Sequence, residues 1–365
     1  MEIKQRLEHM DIFRGIALLI MVTIQIFDYL SVSSIYTTPP YYVGIINSVT
    51  WVPPSLLFTF VSGMSVFLLV KKKLYTNNKS RRWTFLEIFK RYGKYVLISL
   101  PFTIIMWNFG TYFGWEEAIQ GIGLTAIFTA LFLMVFLKYN PKINSKRSYT
   151  FLIFIILVFG LLQSMIPRLI DNSLFGSIFP RQPQDLGLLS LVGGLILNAF
   201  FRGWFSIANL FPIMLSGVIL INLINEDKIS DRKLIFISTI PLLFSIILHL
   251  FGYNINYYER SFALTPFAIG QSALICSVTY ALYKNSTKRY LLRIWNILKI
   301  FGITDFFVYI FHYLVILKVL EITSLKDLLS DSYSWVITIP LVILVYFSAK
   351  YYIKIKGKLP SFLRL

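Results

Sequence analysis

Long apolar runs, each closed by a cluster of charge or by proline and glycine, recur along the whole chain. A run of about 20 apolar residues matches the length of helix that crosses the hydrocarbon core of a bilayer. On that criterion the sequence predicts ten spans, at 11–31, 51–70, 93–109, 118–138, 149–167, 204–224, 234–252, 263–283, 303–322 and 335–355. The stretch 186–201 (LGLLSLVGGLILNAFF) is apolar but short and glycine-broken, so it is expected as a re-entrant or surface segment. The segment 288–301 (KRYLLRIWNILKIF) interleaves basic residues with Leu, Ile and Trp, and is expected to lie flat on the inner surface against anionic lipid. The expected fold is all-α: a polytopic membrane helix bundle of about ten transmembrane helices, one domain over 1–365.

Composition narrows the class. Hydrophobic residues make up 56% of the chain and charged residues 14%, against roughly 45–50% and about 25% in soluble domains. A soluble enzyme, a secreted disulfide scaffold and a disordered chain are excluded. Cys276 is the one cysteine, so no internal disulfide forms. The net charge is +18, which in a soluble protein would suggest nucleic acid. Here the charges follow the spans instead. With the N-terminus inside, alternate inner segments hold 29 Lys and Arg, and the outer loops hold five, Arg202 among them. That bias predicts both termini on the cytoplasmic side of a cell membrane, and nucleic acid is not an expected partner. No cleavable leader is expected, because the apolar run from Ile12 lacks a small-residue cleavage site.

Polar side chains inside spans are expensive, which makes each a candidate site. The first span carries Asp11, Arg14, Gln25 and Asp28. At 100° per residue Arg14 and Gln25 are only about 20° apart around the axis and roughly 16 Å apart along it. Asp11 and Asp28 extend the stripe by three residues at either end. Two readings stay open: a functional stripe, or an Asp11–Arg14 pair at the helix mouth with Gln25 tying helices together. Gln120, Asn209 and His249 fall at the outer ends of their spans, where with Gln25 and Asp28 they would line one pocket. His312 sits near mid-membrane in FFVYIFHYLVI, either as a structural hydrogen-bonder or as a catalyst. Lys318 and Glu321, three residues apart, are expected to pair. The inner segment 71–94 holds nine basic residues against one acid, Glu87. It suits anionic lipid and also a multiply phosphorylated cofactor. No P-loop, GxSxG, CxxC or HExxH motif is present, and with three histidines and one cysteine no metal site is expected.

The block His-Met-Asp-Ile-Phe-Arg-Gly-Ile-Ala (9–17) resembles the D-x-x-R-G-x-A opening of the membrane acyltransferase superfamily. The likeness is to the branch related to heparan-α-glucosaminide N-acetyltransferase and its prokaryotic relatives. FTFVSGMSVFLL (58–69), FKRYGKY (89–95), IQGIGLT (119–125), NLFPIMLSGVIL (209–220), YYERSFALTPFAIGQSA (257–273) and GITDFFVYIFHYLVI (302–316) resemble later blocks in the same order. The resemblance implies transfer of an acetyl or short acyl group from cytosolic acetyl-CoA, or another acyl-CoA, to a sugar or lipid-linked glycan outside. A homodimer is compatible with it.

On this reading Arg14, Lys90, Arg91 and Lys94 hold the phosphate end of the coenzyme, and Gln25 or Gln120 stabilises the oxyanion. The family's histidine between its first two helices is missing from 31–62, where Tyr41, Tyr42 and Asn47 are the nearest polar groups. The general base would then be Asp28, His249 or His312, with Asp28 favoured. The rival expectations are a transporter or flippase using the same polar path, and a catalytically inactive relative.

Overall fold

The structure, a computed structural model, describes residues 8–31, 54–77, 80–106, 118–140, 143, 145–171, 188–203, 205–225, 229–253, 262–326 and 328–358. These residues are helical almost throughout, with no strand among them. In chain order the helices are α1 (Glu8–Leu30), α2 (Pro54–Lys71), α3 (Arg81–Met106), α4 (Ala118–Tyr139), α5 (Lys146–Asp171) and α6 (Leu188–Leu197). They continue with α7 (Ile207–Asn225), α8 (Asp231–Leu250), α9 (Leu264–Lys284), α10 (Arg289–Ile303), α11 (Asp305–Phe311), α12 (Lys318–Ile322) and α13 (Asp331–Ile355). Three π turns interrupt them: Lys72–Thr76 after α2, Asn198–Arg202 after α6, and His312–Leu317 between α11 and α12.

Eight membrane-length apolar elements lie among the described residues, or nine if α10 and the α11–α12 segment, bent by 76° at Thr304, make one span. The chain thus has the make-up of a multi-pass membrane protein. The expected span at 93–109 departs most from the prediction. Its helix, α3, begins far earlier, at Arg81, and carries Arg82, Lys90, Arg91 and Lys94 before a short apolar second half. In the stretch 186–201, the described residues form α6 and the start of a π turn whose Asn198, Ala199 and Arg202 are buried, and Val192–Asn225 is long and apolar enough for one membrane-length element.

The chain divides into two compact units, one formed by Thr59–Val278 and the other by Gln5–Phe58 with Thr279–Leu365. In the first, the central unit, α7 is the core helix. Phe211 on α7 is ringed edge-on by Phe128 and Phe132 of α4 and Phe159 of α5, with ring centroids 4.8–5.4 Å away. Gly63 of α2 and Gly217 of α7 let those two backbones meet. A Cβ on either would stand 2.1 Å from a carbonyl oxygen of the other helix, the close approach that small residues allow between membrane helices. The outer helices α5 and α8 are different: they turn Phe154, Leu161, Phe236 and Ile247 outwards. In water that surface would drive aggregation; in a bilayer it is the lipid-facing side.

The second, the α1 unit, packs α10, α11 and α13 around α1, whose Ala17, Leu18, Val22, Ile26 and Phe27 are wholly buried. Helix α10 runs antiparallel to the first half of α1. Gly302 lies against the Asp11 carbonyl and Gly15 against that of Leu298, where a Cβ would stand 1.7 and 1.8 Å from oxygen. Ile12, Trp295 and Leu298 fill the seam, and Tyr283 and Lys299 both hydrogen-bond Glu8. The amphipathic segment expected to lie flat is thus fastened along α1. At the other end, the Leu329 amide donates to the Leu30 carbonyl at 3.0 Å, and Phe27 packs on Trp335 of α13 with ring centroids 4.6 Å apart.

Candidate functional site

Helix α1 carries its polar residues in two groups. Near its start, buried Asp11 accepts from Arg14 at 3.3 Å, the pairing that the i, i+3 spacing favours. Eleven residues on, Gln25 turns towards the π turn after α11. Its Nε2 donates to the Tyr313 hydroxyl at 2.5 Å, and its Oε1 lies 2.8 Å from His312 Nε2. The other imidazole nitrogen, Nδ1, lies 3.0 Å from the Val308 carbonyl. Tyr309 stands edge-on to the His312 ring at 5.5 Å. His312 is fully buried, whereas Gln25 is partly exposed.

The π turn makes this arrangement possible. Bonds five residues apart wind the chain less per residue than an α-helix does. The adjacent His312 and Tyr313 therefore diverge less than neighbours on a regular helix, and both reach one amide. The hydrogen bonds admit two proton inventories. With the amide as described, His312 donates from both nitrogens and is an imidazolium. With the amide turned by half a rotation, Tyr313 donates to Gln25 Oε1 and Gln25 Nε2 donates to a neutral His312, which still donates from Nδ1. The same heavy atoms serve both states, so a proton can enter or leave His312 with no backbone movement.

No protein-family model matches the chain, and neither does any curated protein. The chemistry of the site therefore rests on its own residues.

Of the other candidates, Asp28 lies one turn beyond Gln25, half-buried. Between Arg14 and Gln25 on that face stand Leu18 and Met21, both buried, so the stripe resolves into two polar groups with apolar packing between them. Beyond it, Lys326 lies over the Tyr29 ring, 5.1 Å from its centroid, and Lys318 pairs with Glu321 at 2.6 Å. Gln120, Asn209 and His249 belong to the central unit. Gln120 is fully buried in the first turn of α4, and Asn209 is buried in that of α7, where its amide donates to the Gly203 carbonyl at 3.3 Å. His249 is exposed at the end of α8, with Nδ1 3.3 Å from the Tyr253 carbonyl. Lys90, Arg91 and Lys94 are exposed along α3, and Glu87 is taken up by Lys73. Tyr41, Tyr42 and Asn47 lie outside the described residues.

Two residues escaped sequence reasoning. Tyr313 sits in an aromatic run that looks like lipid-facing helix, and nothing in the sequence marks the π turn. Arg202, counted among the outer loops, is almost completely buried and pairs with Asp171 at 3.5 Å. The signal available for it was Asn198 four residues earlier, inside an otherwise apolar stretch.

Proposed function

We propose that the protein is a multi-pass membrane acyltransferase that moves an acetyl or short acyl group from cytosolic acyl-CoA to a sugar or lipid-linked glycan on the far side. The observation that carries this reading is the Gln25–His312–Tyr313 triad, a base beside two hydrogen-bond donors within membrane-length apolar helices. The order of the sequence blocks supports it, as does the 29-to-5 basic bias counted over ten spans, which favours both termini and Arg14 on the cytosolic side.

In this role acyl-CoA supplies the activated acyl group as co-substrate. As the acceptor's oxygen or nitrogen bonds to the acyl carbon, the Gln25 amide turns, which frees His312 Nε2 to take the acceptor's proton. The Tyr313 hydroxyl, released from Gln25 Oε1, and the second N–H of Gln25 Nε2 then donate to the oxyanion that develops. When the carbon–sulfur bond breaks, the departing thiolate takes the proton from His312, which returns to its neutral state. His312 is favoured over Asp28 as the base because it is fully buried and lies 2.8 Å from the Gln25 amide oxygen. Arg14, on the same helix as Gln25, holds phosphate by its fixed fork of donors.

Titration of the purified protein with coenzyme A by calorimetry tests the reading. Submillimolar binding that weakens in Arg14→Ala supports it. Absence of binding favours a transporter that uses the His312 proton switch without making a bond.

A further inference from the structure

The central unit contains a cavity of about 360 Å³, within the range of pockets that enclose a small ligand (roughly 300–1,000 Å³). Its walls come from α2, α5, α7, α8 and α9. No charged side chain lines it, and the three hydroxyls that do are already engaged. Ser216 donates to the Pro212 carbonyl at 2.8 Å, Ser238 bonds the Leu234 carbonyl and Ser277, and Thr265 accepts from Gln163. A sugar would find no charge here and only three hydroxyls, each already holding a hydrogen bond, so the lining suits an apolar guest.

The mouth of the cavity indicates what enters. Leu157 of α5 and Phe244 of α8 line the cavity and are also 45% and 40% exposed. The opening therefore lies on the outward apolar face of those helices. It also lies at mid-helix. Gly160 stands about 21 Å from Lys146 and about 16 Å from Asp171 along α5, and Pro241 about 15 Å from Asp231 along α8, at 1.5 Å per residue. A hydrocarbon core about 30 Å thick, centred on these helices, surrounds the mouth on every side. A helix of a second copy, about 10–12 Å across with its side chains, is too wide for this space.

We propose that this cavity is a binding site for one acyl chain of a bilayer phospholipid, which enters sideways between α5 and α8. An empty cavity would leave its walls without dispersion partners, and a flexible alkyl chain restores them without any polar group to satisfy. The site shares no residue with the Gln25–His312–Tyr313 triad, so it stands or falls independently of acyl transfer.

The experiment is photolabelling in phosphatidylethanolamine–phosphatidylglycerol vesicles doped with a phospholipid that carries a diazirine at mid-chain. Peptide mapping should find label on the inner wall, at Ser216, Leu220 and Thr265, roughly tenfold above buried residues that do not line the cavity, such as Leu133 and Leu210. Label confined to outward residues such as Leu161 and Met165 overturns the proposal. Gly160→Phe is the filling variant, because a Cβ there meets its nearest atoms, on Phe262 and Thr265, only at 3.7 Å. It should cut inner-wall label about tenfold while Met165 label stays constant; unchanged inner-wall label contradicts the site. Should that variant fail to fold, the wild-type map alone decides.

Discussion

The Gln25 amide is the pivot of the site because it is both donor and acceptor. Placed between an imidazole and a phenol, it completes the hydrogen bonds of His312 in either charge state. A purely structural histidine needs only one of these states, whereas a catalyst passes through both. His312→Gln should therefore lower acyl transfer on the order of 10²–10⁴-fold, the usual contribution of a general base. The variant should still purify as a monodisperse protein, since glutamine retains polar partners. Tyr313→Phe removes one donor and should slow transfer about tenfold, with a stability loss of about 1 kcal/mol by thermal unfolding in detergent. Sequence alone marks Gln25 and His312, because a polar side chain in an apolar run is conspicuous whatever surrounds it. It does not pair them. That contact joins residues 287 apart in sequence and depends on a π turn that no local pattern signals.

At the scale of elements, contacts too close for any side chain set the packing of α1 on α10. Gly15→Ala and Gly302→Ala each push a methyl group into a carbonyl oxygen. Either change should destabilise the α1 unit by about 1–3 kcal/mol or more, read as a drop in unfolding temperature. Gly93→Ala on α3 is the control: its Cβ would meet only the Phe89 ring, at 3.8 Å, so helix propensity should make it neutral or up to about 1 kcal/mol stabilising. In the central unit Arg202 is buried while Asp171 is partly exposed. Asp171→Ala removes a charge-assisted hydrogen bond from a buried guanidinium and should cost about 1.5–3 kcal/mol, more than Arg202→Met, which leaves its carboxylate within reach of water. The amphipathic pattern of α10 is legible as one apolar face and one basic face. What that face packs on is not, because lipid and a neighbouring helix demand the same side chains. Arg202 was hidden for a similar reason, since an arginine beside a span reads as loop until the fold buries it.

For the whole molecule, the apolar spans were legible because a bilayer leaves backbone polar groups only helix or closed barrel, and apolar runs of about 20 residues fit helix. The division into two units was not, since the second joins two separated stretches of chain, Gln5–Phe58 and Thr279–Leu365. The proposed orientation follows from charge and can be checked with single cysteines, because Cys276, the only native one, is buried. Arg82→Cys and Lys284→Cys should react with an impermeant maleimide only in inverted vesicles, and Tyr253→Cys only in right-side-out ones. The reverse pattern would turn the protein over and place Arg14 away from cytosolic coenzyme.

The most direct measurement of the central claim is the transfer of radiolabel from acetyl-CoA, supplied to the cytosolic face of inverted membrane vesicles, to acceptors inside them. Wild-type vesicles should accumulate acylated product well above vesicles lacking the protein, and His312→Gln vesicles should lose the signal on the order of 10²-fold or more. Wild-type vesicles that transfer no label, or His312→Gln vesicles that transfer it at the full rate, would contradict the account.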